Sequence, residues 1–383
     1  MKKKLFRALS FTLAILIVLV TLAACGKDET DETDASSDDE YASPELSYTG
    51  EVFVVHAAYD DVKSATQSWT AALNELERRS GGGIKVRHYY AGSLLTSTEI
   101  PEGMSDGVAQ WACLSAVNYT DVFPLSCRIM QLPFMGLRDP IVASEIFMQL
   151  FDEFPEIAAE MEPYNMLPIS VSPLGGCDLH LTSEGETRTP AFLTGKSIVS
   201  YRPELQRMFS EFNAESVDIP PEQMHESLKK SEIDGYMNGW AFTNRFDLHP
   251  FLKQHVTAGG NGFFQEFYIY VVALDQYESM PADLQNLWTD LWRNERVEAF
   301  EGMRGYEFMW DETKLFIESQ IEYAWENNHL FIELIPQEIQ IWKDEIVYTH
   351  QMVLDEINAQ RGDLIATAVY NRAIELITQK YGS

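Results

Sequence analysis

The sequence predicts an α/β protein built as two lobes. Two separate runs, residues 51–115 and 197–238, each read as β-α-β units. A helix-periodic stretch from Ala282 to Gln320 holds no proline and is too long to belong to one lobe. The chain, 383 residues of which 45% are hydrophobic, is enough to bury two cores. Apolar and aromatic residues are spread through residues 50–380, which excludes collagen-like, coiled-coil and wholly disordered chains. With 28 basic residues against 59 acidic ones the formal charge is −31, so polyphosphate is repelled and nucleic acid is excluded as a partner.

At the N-terminus, Lys2, Lys3, Lys4 and Arg7 precede an uncharged run that ends Leu22-Ala23-Ala24-Cys25, the layout of a secretory signal. The run is also long enough to span a bilayer. Small residues at 23 and 24 directly before a cysteine nevertheless resemble a bacterial lipobox. On that likeness residues 1–24 are a signal peptide and Cys25 is the lipidated first residue of an extracytoplasmic protein anchored at the bacterial cell membrane. Residues 25–48, dense in Asp and Glu with almost nothing to bury, form an acidic disordered tether. Cys113, Cys127 and Cys177 remain, an odd number at no metal-ligand spacing, so a disulfide framework is excluded. They are expected as small core residues, with a single Cys113–Cys127 bridge as the alternative.

The first unit starts with a β-rich run over Glu51–Ala57, followed by Val62, Ala65, Trp69, Leu73 and Leu76 at helical spacing. Ser80-Gly81-Gly82-Gly83 stops that helix, and Ile84–Tyr90 alternates as a second strand. A helix over Ser97–Ser105 and a strand over Val108–Ser115 lead into a loop with Tyr119, Phe123, Pro124 and Pro133. The second unit opens with a strand at Ser197–Tyr201. Pro203 suits a first helical turn, and Leu205, Met208, Phe209 and Phe212 form its apolar stripe. Val217–Ile219, a helix over Pro221–Lys230 and a strand over Ile233–Asn238 complete it, with no sequence repeat between the two units. In the long helical stretch Gly302 and Gly305 mark the expected bend. Residues 336–381 read as further helix.

No catalytic constellation emerges. Gly103-Met104-Ser105-Asp106-Gly107 matches G-x-S-x-G, but a nucleophile elbow needs strand, turn, then helix, and here a helix precedes and a strand follows. Gly107 reads better as a helix stop. Gly81–Gly83 and Gly259-Gly260-Asn261-Gly262 open no helix after a strand, so they are turns and not phosphate cradles. The eight histidines include no H-E-x-x-H and no close Cys/His cluster. The chain is expected to be no enzyme and to use no metal or cofactor.

Several blocks recur in a familiar order: Ser80-Gly81-Gly82-Gly83-Ile84-Lys85-Val86, Tyr90-Ala91-Gly92-Ser93-Leu94, Gly107-Val108, Phe123-Pro124-Leu125 and Leu132-Pro133-Phe134. Leu193-Thr194-Gly195-Lys196, the helix start at Pro220, Ile233-Asp234-Gly235 and Met280-Pro281-Ala282-Asp283-Leu284-Gln285 follow at matching spacing. Over roughly residues 50–325 the chain resembles the solute receptors of TRAP transporters, the dicarboxylate-binding family of extracytoplasmic proteins. The resemblance implies a two-lobed, periplasmic-binding-protein-like fold of the class II type with a long lobe-spanning helix and a helical C-terminus. It places lobe I in residues 49–176 and 264–302, and lobe II in residues 177–263 and 303–383. Its implied function is capture of a small organic solute, usually a carboxylate, for the membrane subunits of a TRAP permease. A ligand-sensing lipoprotein acting on a membrane signalling partner is the alternative.

By position in the family, the cleft should be lined by Tyr59, Tyr119, His180, Tyr201, Asn238 and Trp240, consistent with ligands sitting at the carboxyl ends of strands. The arginine that usually clamps the carboxylate falls at Val199, and a second one falls at Leu179 beside His180. Arg202 and Arg245 are the nearest replacement donors. If neither enters the cleft, the aromatic lining suits a neutral or partly apolar solute.

Overall fold

The computed structural model describes residues 45–59, 66–346 and 348–382. The predicted signal peptide, Cys25 and most of the predicted tether lie outside these residues. The first lobe holds strands β1 (Phe53–Ala58), β2 (Ile84–Tyr89) and β3 (Trp111–Ser115). Strand β4 (Met166–Leu181) leads into the second lobe, which holds β5 (Ser197–Val199), β6 (Glu215–Val217), β7 (Gly235–Gly239) and β8 (Gln254–Ala258). Strand β9 (Phe264–Ala273) returns to the first lobe, and β10 (Leu330–Leu334) adds to the second. One sheet therefore runs through both lobes in the order β2-β1-β3-β9-β4-β7-β5-β6, with β8 and β10 attached beside the far half of β4.

Both expected β-α-β units form, because helix α1 (Thr66–Arg79) buries Trp69, Ala72, Leu73 and Leu76 on the sheet. Helix α2 (Ile100–Ser105) likewise ends where Gly107 takes φ +71, as the helix-stop reading requires. Helix α3 (Pro140–Glu153) is capped by Asp139, whose side chain accepts from the Val142 N–H, with Pro140 at the first helical position. In the second lobe α4 (Pro203–Glu211) buries Leu205, Met208 and Phe209, and α5 (Met224–Lys229) and α6 (Trp240–Arg245) cover the other sheet face. Cys113, Cys127 and Cys177 are all buried thiols, so the alternative of a Cys113–Cys127 bridge is set aside.

The long helical stretch is corrected. It divides into α7 (Ala282–Thr289), a π turn at Asp290–Asn294, an irregular passage, and α8 (Gly305–Glu326). Glu301 and Gly302 both take left-handed φ, and a Cβ on Gly305 would stand 2.8 Å from the Leu291 carbonyl oxygen. The glycines thus serve a full reversal and close packing, not a gentle bend. Helix α8 alone spans the lobes: its 22 residues reach about 33 Å. Near its start Glu312 accepts from the Ser68 N–H at 2.8 Å in the first lobe, and further on Gln320 pairs with His249 at 3.1 Å in the second.

The C-terminal helices also differ from the expected lobe boundaries. Helix α9 (Pro336–Glu345) places Trp342 in the second lobe's core. Helices α10 (Thr349–Arg361) and α11 (Ile365–Tyr381) instead bury Val353, Leu354, Ile357, Val369, Ala373 and Leu376 in the first lobe's core beside α3. Their apolar faces pack on each other, on α3 and on the turn at Ile129–Gln131. Among the described residues no helix is long and apolar enough to cross a membrane.

Candidate functional site

Parallel strands β1, β5 and β7 end on residues that belong to neither core pattern alone. After β5 the chain reads Ser200-Tyr201-Arg202, and after β7 it turns at Gly239 into α6. Arg202 is only 2% exposed. Its Nη2 donates to the Gln131 carbonyl oxygen at 2.8 Å, which brings a first-lobe segment against the end of a second-lobe strand. Its guanidinium lies over the Phe264 ring, 4.1 Å from the centroid, at the start of β9. Glu204 stands 3.3 Å from Arg202 Nε, and its other oxygen accepts from Arg128 Nε at 3.3 Å. Arg128 in turn donates to Glu356 at 3.0 Å. Arg202 Nη1 is buried and has no hydrogen-bond partner, and so is Oε1 of Gln131 beside it. A guanidinium N–H left dry and unpaired is costly, and a carboxylate is its natural partner.

Glu266 completes this floor. It sits two residues beyond Phe264 on the same side of β9, opposite Gly175 of β4. Its Oε2 lies 3.4 Å from where a Cβ on Gly239 would stand, which sets that carboxyl against the end of β7. Burial pushes the Glu266 pKa above the usual carboxylate range, against the weaker pull of the Cys177 thiol and the Arg202 charge.

On the opposite face of the same strands lies a histidine chain. His180 Nε2 is 3.1 Å from the Asn238 carbonyl oxygen, so that nitrogen must carry the hydrogen. A neutral His180 then accepts at Nδ1 from His255 Nδ1, 2.7 Å away, and His255 accepts at Nε2 from His329 Nδ1 at 2.9 Å. The three tautomers are fixed by one carbonyl. Trp240 packs edge-on against His180 with ring centroids 5.0 Å apart and donates from Nε1 to Asp178 at 2.9 Å. Burial raises Asp178 to about 7 and lowers His180 to about 3.

Of the residues expected to line the cleft, His180, Asn238 and Trp240 come together in this cluster. Asn238 also turns its side-chain oxygen to the Gly239 N–H at 2.8 Å. Tyr201 is half-buried against Phe242, and its hydroxyl has no partner. Tyr59 and Tyr119 stand apart from these, within the first lobe. Tyr59 is fully buried, bonded to His88 at 2.6 Å and stacked on Tyr90, while Tyr119 donates to the Ser97 carbonyl oxygen. Val199, at the usual clamp position, packs in the second lobe's core with Tyr236 and Leu248, and Leu179 packs on the other face. Arg245 is exposed over Phe246. Gln131, Glu204, Phe264 and Glu266 were not anticipated. The visible signal for the last was Gln265-Glu266 standing inside the otherwise apolar run Phe263 to Ala273.

The profile of the bacterial extracellular solute-binding proteins of family 7 matches residues 55–346. No curated protein sequence matches the chain. Solved structures of TRAP solute-binding proteins are similar in fold. One, from a marine metagenome and specific for aromatic acid ligands, was solved with metahydroxyphenylacetate; it is 18% identical, with a TM-score of 0.68, covering 86% of this chain and 100% of that one. Another, from Rhodoferax ferrireducens with copurified benzoate, is 16% identical, with a TM-score of 0.68 and coverage of 86% and 98%. A third, from Ochrobactrum anthropi with a C-terminus bound in its ligand pocket, is 14% identical, with a TM-score of 0.72 and coverage of 87% and 97%.

Proposed function

The chain belongs to family 7 of the bacterial extracellular solute-binding proteins, and from that premise we propose that it captures a small organic acid between its lobes and delivers it to a TRAP-type transporter, with Arg202 holding the carboxylate. The observation that carries this reading is the fully buried Arg202 guanidinium, whose Nη1 has no partner at the junction of the two lobes. It supplies the cation that Val199 cannot. Phe264 beneath it offers aromatic surface to the rest of the solute. That lining agrees with the aromatic acids bound by similarly folded receptors. Leu22-Ala23-Ala24-Cys25 supports a lipid anchor, and the acidic stretch after it supports a tether holding the receptor near its permease. The mass of the mature N-terminus tests the anchor: a lipidated Cys25 is expected, and an unmodified Cys25 still joined to residues 1–24 excludes it.

Thermal-shift measurements with benzoate and 3-hydroxybenzoate, against benzamide and benzyl alcohol, test the ligand class, since a ligand stabilises the state it binds. The acids should raise Tm and the neutral analogues should not, and Arg202→Gln should abolish the effect. Stabilisation by benzamide equal to that by benzoate removes the arginine from the reading.

A further inference from the structure

The charges around Arg202 narrow the class of acid. Among the described residues the buried arginines are Arg79, Arg128 and Arg202, and no lysine is buried. Arg79 is consumed elsewhere, bonded to Glu75 at 2.7 Å and Glu295 at 2.9 Å. Arg128 has both its partners, Glu204 and Glu356. Glu204 lies between Arg128 and Arg202, and Glu356 pairs with Arg128 from its other side, so two arginines face two glutamates. What Arg202 keeps is a desolvated guanidinium whose Nε and Nη1 have no hydrogen-bond partner. Glu266 is 5% exposed and shares a face of β9 with the ring that carries Arg202. Asp178 lies behind Gly239, 9% exposed and already accepting from Trp240. His180 and His255, on the opposite face of the strands, spend their ring nitrogens on each other, on Asn238 and on His329.

From this arrangement, and resting on the reading of Arg202 as the anion-binding group, we infer that the cleft takes a solute bearing one carboxylate and rejects the corresponding dicarboxylate. A first carboxylate gains a charge-assisted bond to a cation that is already desolvated. A second would be buried with no cation of its own and with Glu266 for a neighbour, an unpaired buried charge that opposes binding. Discrimination on the order of tenfold or more follows.

Isothermal titration of the full chain with benzoate, phthalate and isophthalate tests this. Benzoate should bind on the order of tenfold or more tightly than either diacid. Glu204→Gln, which keeps the side chain's shape and removes the carboxylate that faces Arg202, should move the ratio toward the diacids by a similar factor. Arg202→Lys, which keeps the charge and loses the fork, should weaken benzoate while circular dichroism stays unchanged. Diacids that bind as tightly as benzoate, with both lost in Arg202→Lys, overturn the single-charge inference and leave Arg202 as the anion site. Benzoate binding that is unaltered in Arg202→Lys, or no binding of benzoate at all, overturns the arginine reading and this inference with it.

Discussion

His180 and Asp178 lie two residues apart on one strand and are pushed in opposite directions by one cause, the loss of water. Desolvation lowers His180 from its ordinary 6.5 to about 3 and raises Asp178 from 3.8 to about 7. His255 and His329 are lowered as well, by burial first and then by neighbouring histidines, and Lys253 adds to the effect at His329. For a base whose folded pKa is depressed, the unfolded chain binds more protons below about 6.5. The stability that depends on the neutral chain is therefore complete above that pH and is lost as pH falls toward 3. Asp178 works the other way, since its protonated folded form favours the fold below about 4 and that contribution is lost as pH rises toward 7. Between pH 6.5 and 4 the lowered histidines, which include His88, His249 and His350 as well, outnumber the raised acids Asp178, Glu160 and Glu266, so urea denaturation should show stability falling on acidification. Each fully differential proton contributes about 1.4 kcal/mol per pH unit. His180→Gln should flatten that slope and Asp178→Asn should steepen it. A slope unchanged in both would mean that the chain titrates in the fold as it does in the unfolded state.

The element on which both lobes depend is β4. It pairs with β9 as far as Cys177 and with β7 and β8 beyond it, and its register slips between Pro173 and Gly175. Gly175 takes φ +119, and a Cβ there would meet the Ile317 methyl of α8 at 2.6 Å. Gly175→Ala should therefore cost about 1–3 kcal/mol of unfolding free energy, from strain and the displacement of Ile317 together. A loss under about 0.5 kcal/mol, the size of an ordinary surface change, would show that the strand accommodates the methyl. This crossing was hard to read in the sequence. The amphipathic helices announce themselves because one face of each is solvated, as Trp69 through Leu76 do at helical spacing. Strand β9 is buried on both faces from Phe264 to Ala273, so it has no period to detect. Pro173 and Gly175-Gly176 in β4 look like loop signals, and the bulged crossing that uses them depends on strands distant in sequence. The same limit hides half of the candidate site. Arg202 can be suspected from its distance to Val199, but Gln131, Glu204 and Glu266 meet it only once β9 and the 128–131 segment are in place.

At the scale of the molecule, the lobes are held together by few groups of contrasting kinds. Phe134 of the first lobe places its ring in the second lobe's core, 5.3 Å from Phe263, and its N–H donates to the Phe263 carbonyl oxygen at 2.7 Å. It does so at φ +60, a conformation that costs a bulky residue about 1–3 kcal/mol and is kept only where the surroundings hold it. The second group is the buried triad of Arg128, Glu204 and Arg202. Separating the lobes would expose these charges to water, and a buried ion network is about neutral against its hydrated parts. Closure is therefore poised, and a bound carboxylate that adds a partner to Arg202 shifts it by the difference in affinity between the two arrangements. Removing one member of the triad is different, because without Arg128 the Glu204 carboxylate loses its first-lobe partner and keeps Arg202 alone, and breaking a buried pair costs about 3–5 kcal/mol. Arg128→Gln should favour separated lobes without unfolding either one. Small-angle scattering should show a larger radius of gyration than wild type, smaller compaction on adding benzoate, and an unchanged circular dichroism spectrum. An unchanged radius together with unchanged benzoate affinity would count against the triad as the contact that sets closure, and would leave Phe134 and helix α8 to hold the lobes in place.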